Sequence, residues 1–382
     1  MKNDGHTLVI FSRFLPSMGG IENFTNSLAH KLIDLGYSVS IITTDGKVGH
    51  TKIDGINVYR IKSYSILSGR YPIPNPFSVI RAMQFISNRY THISVLINGR
   101  YYLLSFIGAK ISNKMGIKPV LLDHSSSYIP SSNKIVARVF KAAEIVVTKI
   151  LNTAQIDYYG ISSLSSAWLN YLGIKSCGEI NNAIDESSFI SNRSSRKFIQ
   201  ENSNKLTIIY AGRLIEEKGV LTVAALASAF PNTIEVLIAG SGPLSAEIAR
   251  IEKAVNNLHY LGRLNRADLA SLLIQSDIFC FPSDYPEGMP TCLLEAAVCD
   301  CAVITTNNGG TREIIPDSSY GFIVSPRNQD DLNLLISRLI SDPSSFKIRA
   351  EKLHAHVTET FTWSKTASKV LDACDKANPK KA

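Results

Sequence analysis

With 382 residues, 45% of them hydrophobic and 19% charged, the chain is too long for one average domain and too apolar for disorder; about two globular domains are expected. A net charge of +8 and a pI near 9.0 admit nucleic acid, anionic lipid or an anionic substrate as partner, but no helix-turn-helix, zinc-finger or RNP-type signature supports nucleic acid. No apolar run approaches the roughly 18 residues of a membrane span. Met1 to His6 lead into a short apolar stretch that Arg13 interrupts, which reads as a first strand and not as a secretory signal. Cysteines 177, 280, 292, 299, 301 and 374 show no paired metal spacing, and most fall in apolar segments; reduced, buried thiols in a cytosolic protein are expected.

In chain order, Thr7 to Phe11 is the first strand, and a turn follows through Pro16, Ser17, Met18, Gly19 and Gly20. Apolar residues at 21, 24, 28, 32 and 35 give a helical period that Gly36 closes. Ser38 to Thr44 is the next strand, so the opening is a βαβ unit with Gly-Gly at the helix entrance. Ser94 to Ile97, a helix over 101–114, Pro119 to Leu122, a helix over 133–150 and Ile156 to Ile161 continue the alternation. A polar stretch, 186–205, precedes a second series. It comprises strand Leu206 to Tyr210, helix Gly219 to Ala229, strand Ile234 to Ala239, and strands at Leu258 to Leu261, Ile278 to Phe281 and Ala302 to Thr305. Alternation of this kind predicts two α/β domains with doubly wound parallel sheets, in tandem, with a ligand cleft expected between them. Trp363 to Lys376 reads as a last helix.

The chemistry concentrates in the second half. Glu287 lies in a Pro/Gly loop, Glu295 in the helix that follows, and together they can reach two parts of one ligand. Gly288 allows close backbone approach, Pro290 suits a first helical turn, and the helix N-terminus offers unpaired N–H groups of the kind that cradle phosphate. Carboxylates accept from hydroxyls, so the segment fits a ligand with both hydroxyls and phosphate, such as a nucleotide sugar. Earlier, Tyr210 to Gly219 end a strand, form a loop and enter a helix. There Arg213 can fork onto two phosphate oxygens and Lys218 adds a second charge, unless Glu216 and Glu217 pair with them. Gly240-Ser241-Gly242-Pro243 fails the full dinucleotide fingerprint, since Ser245 stands at the third glycine position. It is either a nucleotide-side turn or a plain one. No Asp-x-Asp, H-E-x-x-H or EF-hand loop occurs, so no metal and no cofactor is expected.

The string from Pro282 to Ala296, with its Glu-x7-Glu spacing, Glu287-Gly288 before the helix and Leu293-Leu294-Glu295-Ala296 inside it, resembles the motif of retaining glycosyltransferase family 4, which has the GT-B fold. The resemblance covers nearly the whole chain and is strongest from 206 to 315. It implies an acceptor domain over 1–186, a nucleotide-sugar domain over 187–360 and a terminal helix, 361–382, crossing back to the first domain. It further implies that Arg213 and Lys218 grip the donor diphosphate, that Glu295 binds the ribose and Glu287 the donor sugar, with Gly288, Met289 and Pro290 of the same loop against the donor. Gly240 and Gly242 would lie beside the nucleotide, and Gly19 and Gly20 would let backbone approach the donor phosphate. His124, in Asp123 to Ser127 at a strand end, would face the transferring centre. Family members usually carry Gly and Pro where Asp300 and Ala302 stand, and Gly where Ala183 stands; these departures touch local geometry more than chemistry.

The activity so implied is metal-independent, retaining transfer of a sugar from a nucleotide-diphosphate sugar to a glycan or lipid-linked acceptor, in bacterial surface polysaccharide assembly. Other GT-B activities, such as an epimerase or a soluble sugar synthase, and a non-catalytic glycan- or nucleotide-binding module remain alternatives. Lys134, Arg138 and Lys141 share one helix face, which is either a solvated face or a contact with anionic lipid at the cytoplasmic side of a membrane.

Overall fold

The computed structural model describes residues 3–17, 19–64, 72–128, 134–199 and 205–379. Met18 of the first turn, Asn133, part of the 186–205 stretch and the side chain of Lys134 lie outside the described residues. The chain divides into two compact units: Met1–Asn182 with Trp363–Ala382, and Ala183–Thr362.

The first unit runs β1 (Asn3–Phe11), α1 (Gly20–Asp34), β2 (Ser38–Thr43), β3 (Gly49–Ile53), β4 (Ile56–Arg60), β5 (Ser63–Tyr64), β6 (Ile73–Pro74), α2 (Pro76–Ser87), β7 (Tyr90–Asn98), α3 (Leu103–Lys114), β8 (Val120–Asp123), α4 (Lys134–Leu151), β9 (Asp157–Gly160), α5 (Ser163–Tyr171) and β10 (Ser176–Glu179). Its sheet has the order β10-β9-β8-β7-β1-β2-β4-β3, parallel except for the β3–β4 hairpin. The central strands β1, β2, β7 and β8 are buried on both faces over most of their length and read as apolar runs, as parallel sheets require, whereas the edge strands β3 and β10 are polar and largely exposed or half-buried. Val9, Phe11, Val95, Ile97 and Leu121 form the core with Met83 and Ile86 of α2. The first strand starts earlier than Thr7 because the His6 ring is held by Ser94 Oγ at 2.8 Å and meets Tyr37 edge-on.

The second unit runs α6 (Glu186–Ser191), β11 (Leu206–Ala211), a 3-10 turn (Glu216–Lys218), α7 (Val220–Ala229), β12 (Ile234–Ala239), α8 (Ser245–Glu252), β13 (Leu258–Gly262), α9 (Arg266–Ile274), β14 (Ile278–Phe281), α10 (Thr291–Ala297), β15 (Ala302–Thr305), α11 (Thr311–Ile314), β16 (Phe322–Ile323), α12 (Gln329–Ser341) and α13 (Pro343–Thr360). Its sheet, β13-β12-β11-β14-β15-β16, is parallel throughout. The order reverses between β11 and β14, both of which start from the middle of the sheet. Open α/β sheets place ligands beyond the strand ends at such a reversal.

The last helix, α14 (Trp363–Ala377), belongs to the first unit. Trp363 meets Phe24 of α1 edge-on with ring centroids 5.4 Å apart, Thr366 Oγ1 donates to Asn181 O at 3.0 Å, and the Asn378 amide exchanges two 2.8 Å bonds with the Lys118 backbone.

Candidate active site

In the second unit, the ends of β11, β12, β13 and α10 enclose a cavity of about 490 Å³ lined by Gly212, Arg213, Gly240, Ser241, Arg263 and Glu295, among others. Close approach of backbones builds its floor. A Cβ on Gly240, whose φ is +143°, would stand 1.8 Å from Gly212 O, and one on Gly242 would stand 2.5 Å from Leu214 O. These two glycines let the β11 and β12 loops touch, with Leu214 N donating to Ser241 O at 3.1 Å and Leu244 N to Leu214 O at 3.1 Å. The Arg213 loop is pinned from behind by the Tyr210 hydroxyl, which donates to Arg213 O at 2.9 Å. Its guanidinium is left exposed.

The 3-10 turn after that loop carries Lys218, whose Nζ pairs with Glu287 Oε1 at 2.7 Å and lies 5.3 Å from the ring centroids of both Phe281 and Tyr285. Of the two residues weighed as rivals for that cation, the Glu216 carboxylate reaches Arg327 at 3.9 Å; the Glu217 backbone carbonyl accepts from Asp284 N at 2.7 Å. The Glu287 loop is stitched to the next one by Gly310 N, which donates to Gly288 O at 2.8 Å, and by Asn308 Nδ2 and Thr306 Oγ1, which donate to Tyr285 O and Ser283 O. Pro290 stands at the N-cap of α10 with ψ 112°, one position before the first turn in which sequence reasoning put it. Met289 is buried beside it.

Glu295 is half-buried in the cavity wall and makes no hydrogen bond or ion pair within the described residues. Burial pushes its carboxyl up to about 7, against the opposing pull of Arg266. Cys292, on the same helix and lining the same cavity, has its thiol pushed well up by burial, with Lys218 opposing and Glu287 and Glu295 reinforcing the shift. Of the remaining cysteines, Cys280, Cys299, Cys301 and Cys374 are buried, whereas Cys177 is exposed.

Two features here were missed by sequence reasoning. Arg263 and Leu264 enter the cavity wall just past β13, and the signal available was their place at a parallel strand's C-terminal end. A second cavity of about 450 Å³, lined by Ser283, Asp284, Thr306, Asn307, Asn308 and Ser325 with others, adjoins the Glu287 loop.

In the first unit, His124 follows β8. Its Nε2 lies 2.6 Å from Asn98 Oδ1. The Asn98 amide nitrogen donates to Thr25 Oγ1 at 2.8 Å and Ile21 O at 3.4 Å, so the amide oxygen is the atom facing the ring and His124 Nε2 carries the proton. Burial holds this imidazole down at about 4, against the pull of Asp123; it is neutral at physiological pH, with Nδ1 as an acceptor. Gly19 caps α1 with extended backbone, and the Glu22 carboxylate folds back over it, 2.6 Å from where a Cβ would lie. Glu22 also reaches Arg13 at 3.6 Å, and Arg13 is bound to Asp45 at 3.1 Å. The space beside Gly19 thus already holds a negative charge, while Gly20 is open.

Behind His124 lies a buried ionic cluster that sequence reasoning did not foresee. Arg100, fully buried, donates from Nε to Asp123 Oδ2 at 2.9 Å, from Nη2 to Glu144 Oε1 at 2.8 Å and from Nη1 to Thr148 Oγ1 at 2.5 Å. The Tyr101 hydroxyl adds a 2.9 Å bond to Glu144. Burial pulls the guanidinium pKa down, but Asp123, Tyr101 and Glu144 raise it further, so the charge is permanent. Asp123 in turn accepts from Ser125 N and Oγ at 3.3 and 3.0 Å, which fixes the turn on which His124 sits.

Two doubly wound parallel-sheet units in one chain are the architecture of the GT-B fold, and similar sequences and structures support a GT-B glycosyltransferase. Residues 191–357 match the family described as "Glycosyl transferases group 1". The phosphatidylinositol N-acetylglucosaminyltransferase gpi3 subunit of Schizosaccharomyces pombe is 27% identical over 377 residues, covering 95% of this chain and 78% of that protein. An uncharacterized glycosyltransferase of Methanocaldococcus jannaschii is 22% identical over 379 residues, covering 94% and 95%. Among solved structures, Anabaena HepE in complex with UDP superposes with a TM-score of 0.75 at 16% identity, over 97% of this chain and 100% of that one. WaaG, a glycosyltransferase involved in lipopolysaccharide biosynthesis, gives 0.66 at 15% identity, over 97% and 100%.

Proposed function

We propose that this chain is a retaining, metal-independent glycosyltransferase of family 4. It moves a sugar from a nucleotide-diphosphate sugar to a glycan or lipid-linked acceptor. The observation that carries the reading is the joint placement of Arg213 and Glu295 on one cavity, with the Lys218–Glu287 ion pair joining the loops after β11 and β14 of the same sheet.

In this reading Glu295 accepts from the ribose hydroxyls and Glu287 from the sugar hydroxyls, with Gly288, Met289 and Pro290 against the donor and Gly240 and Gly242 beside the nucleotide. The bond between the anomeric carbon and the diphosphate oxygen breaks, and its electron pair goes to the diphosphate. Arg213 and Lys218 meet that developing charge, as fixed cations do in other group transfers. The acceptor hydroxyl attacks from the face the leaving group departs, and its proton passes to the departing phosphate oxygen, so configuration is retained without a covalent enzyme intermediate. His124, neutral and protonated on Nε2, and the Gly19-Gly20 turn shape the transfer centre.

The complexes of HepE with UDP and with UDP-glucose support a uridine donor. The named activity of the gpi3 relative supports a lipid acceptor, and the involvement of WaaG in lipopolysaccharide biosynthesis supports assembly of a bacterial surface polysaccharide. A thermal-shift screen of nucleotide sugars, followed by assay of donor hydrolysis, tests the reading, because a bound donor stabilises the native state by mass action. One stabilising nucleotide sugar, slowly hydrolysed, is expected. Stabilisation without any turnover would make the chain a binding module, and no stabilisation by any nucleotide sugar would overturn the assignment.

A further inference from the structure

Helix α4 carries apolar residues on two faces: Leu151 and Val147 pack into the core, and a second apolar stripe faces outward. A helix on a soluble domain buries its apolar stripe and exposes its polar one. In α4 the buried positions include Glu144 and Thr148, one turn apart, and both bind the Arg100 guanidinium. The outward positions include Ile135, Val139, Val146 and Ile150, exposed by 72, 60, 54 and 40%. Their spacings of four, seven and four put them on a single stripe. Arg138, Lys141 and Lys149 are exposed along one flank of that stripe. The helix has one acid, Glu144, and it is the residue turned inward.

Aromatic side chains continue the face. Lys141 Nζ lies 4.7 Å over the Tyr128 ring, Tyr128 meets Trp168 edge-on at 4.7 Å, and Trp168 stacks on Tyr171 at 5.2 Å. Tyr171 is 69% exposed. Rings with one apolar and one polar end are the side chains that settle at headgroup depth.

We propose that the outward face of α4, with the Tyr128–Trp168–Tyr171 ladder, is a docking surface for an anionic lipid bilayer. The charge selects the occupant: a row of cations with no outward acid beside an apolar stripe complements anionic headgroups above acyl chains, whereas a protein groove would offer a mixed rim. Among the described residues no helix is long and apolar enough to cross a membrane, so the attachment is by a face lying in the interface. Inward, the helix is held by the Arg100–Glu144 ion pair together with Leu151 and Val147 packed on the core, and the outward stripe stays exposed. The surface is argued without the transferase reading, and its test uses no turnover.

The test is cosedimentation of the full chain with phosphatidylcholine vesicles, with and without phosphatidylglycerol, at low and high salt. Binding to the anionic vesicles alone, weakened by salt, is expected. Replacing Arg138, Lys141 and Lys149 together by Gln should lower that binding on the order of 100-fold, given about 1 kcal/mol per cation near the surface. Val139→Asn with Val146→Asn should lower it as well, with unchanged circular dichroism. Replacing three exposed cations of the second unit, Arg250, Lys253 and Lys347, by Gln should leave it unchanged. An equal loss in that control would reduce the effect to net charge and overturn the proposal. So would vesicle binding unaffected by the α4 variants, or a concentration-dependent dimer in sedimentation velocity that the valine variants abolish while vesicle binding persists.

Discussion

Lys218 Nζ stands 2.7 Å from Glu287 Oε1, so the cation read as a phosphate grip and the carboxylate read as a sugar contact hold each other in one geometry. A long lysine loses rotamer freedom on binding a ligand; here its position is set beforehand by Glu287 and by the Phe281 and Tyr285 rings. Arg213, exposed on the cavity wall, has no such tether among the described residues.

The pair predicts non-additive mutants. Lys218→Ala and Glu287→Gln should each lower kcat/KM by about 100-fold, on the order of 3 kcal/mol, and the double mutant should lose well under the sum, because the residues act as a unit. Arg213→Ala should cost a similar factor with urea midpoints unchanged. Normal turnover in Arg213→Ala and Lys218→Ala would remove the phosphate grip from the mechanism.

Glu295 and Glu287 should separate in binding. Calorimetry with free nucleoside diphosphate should show weakened affinity in Glu295→Gln and near-normal affinity in Glu287→Gln, whose loss appears only in sugar transfer. The opposite pattern would reverse the two roles.

A pH dependence follows from the Glu295 carboxyl, which burial raises from 4.5 to about 7. The native state binds this proton more tightly than the unfolded chain. Its contribution to stability is therefore greatest at low pH and declines as pH rises from about 4.5 to about 7. Ligand binding runs the other way: ribose hydroxyls need the carboxylate as acceptor, so nucleoside diphosphate affinity should rise as pH passes 7. The step should be missing in Glu295→Gln, and an unaltered step in that variant would assign it to another group.

The buried cluster of the first unit predicts a large stability effect away from the donor cavity. Glu144→Leu leaves the buried Arg100 guanidinium short of one charge partner and should cost about 3–5 kcal/mol of unfolding free energy. Glu144→Gln, which keeps a hydrogen-bond acceptor, should cost less. Equal urea midpoints for wild type and Glu144→Leu would mean that the ion pair does not hold α4.

The alternation of strands and helices was legible wherever strands are buried runs, as in Leu206–Ala211 and Ile234–Ala239. It was not read between residues 45 and 93, because Gly49–Ile53 is an edge strand with mostly exposed, polar residues and offers no apolar period. The signals were the turn pair Asp54 and Gly55, both at positive φ, and Asn75-Pro76, which cap α2. In the site, Arg213 and Lys218 were visible because one loop carries both. The Lys218–Glu287 pair, the Arg263 contribution and the Arg100–Glu144 anchor join residues from different strand ends or helices, which a linear pattern does not encode. The α4 stripe was legible in composition only; that Glu144 and Thr148 turn inward depends on the charge of Arg100, one strand away.

The central claim is that protein cations, and not a metal, meet the diphosphate charge during a front-face displacement. The most direct measurement is the anomeric configuration of the product, read from its NMR coupling constant after reaction with an α-linked nucleotide sugar in the presence and absence of EDTA. The account predicts an α-linked product at comparable rates in both. A β-linked product, or activity lost in EDTA and restored by a divalent metal, would contradict it.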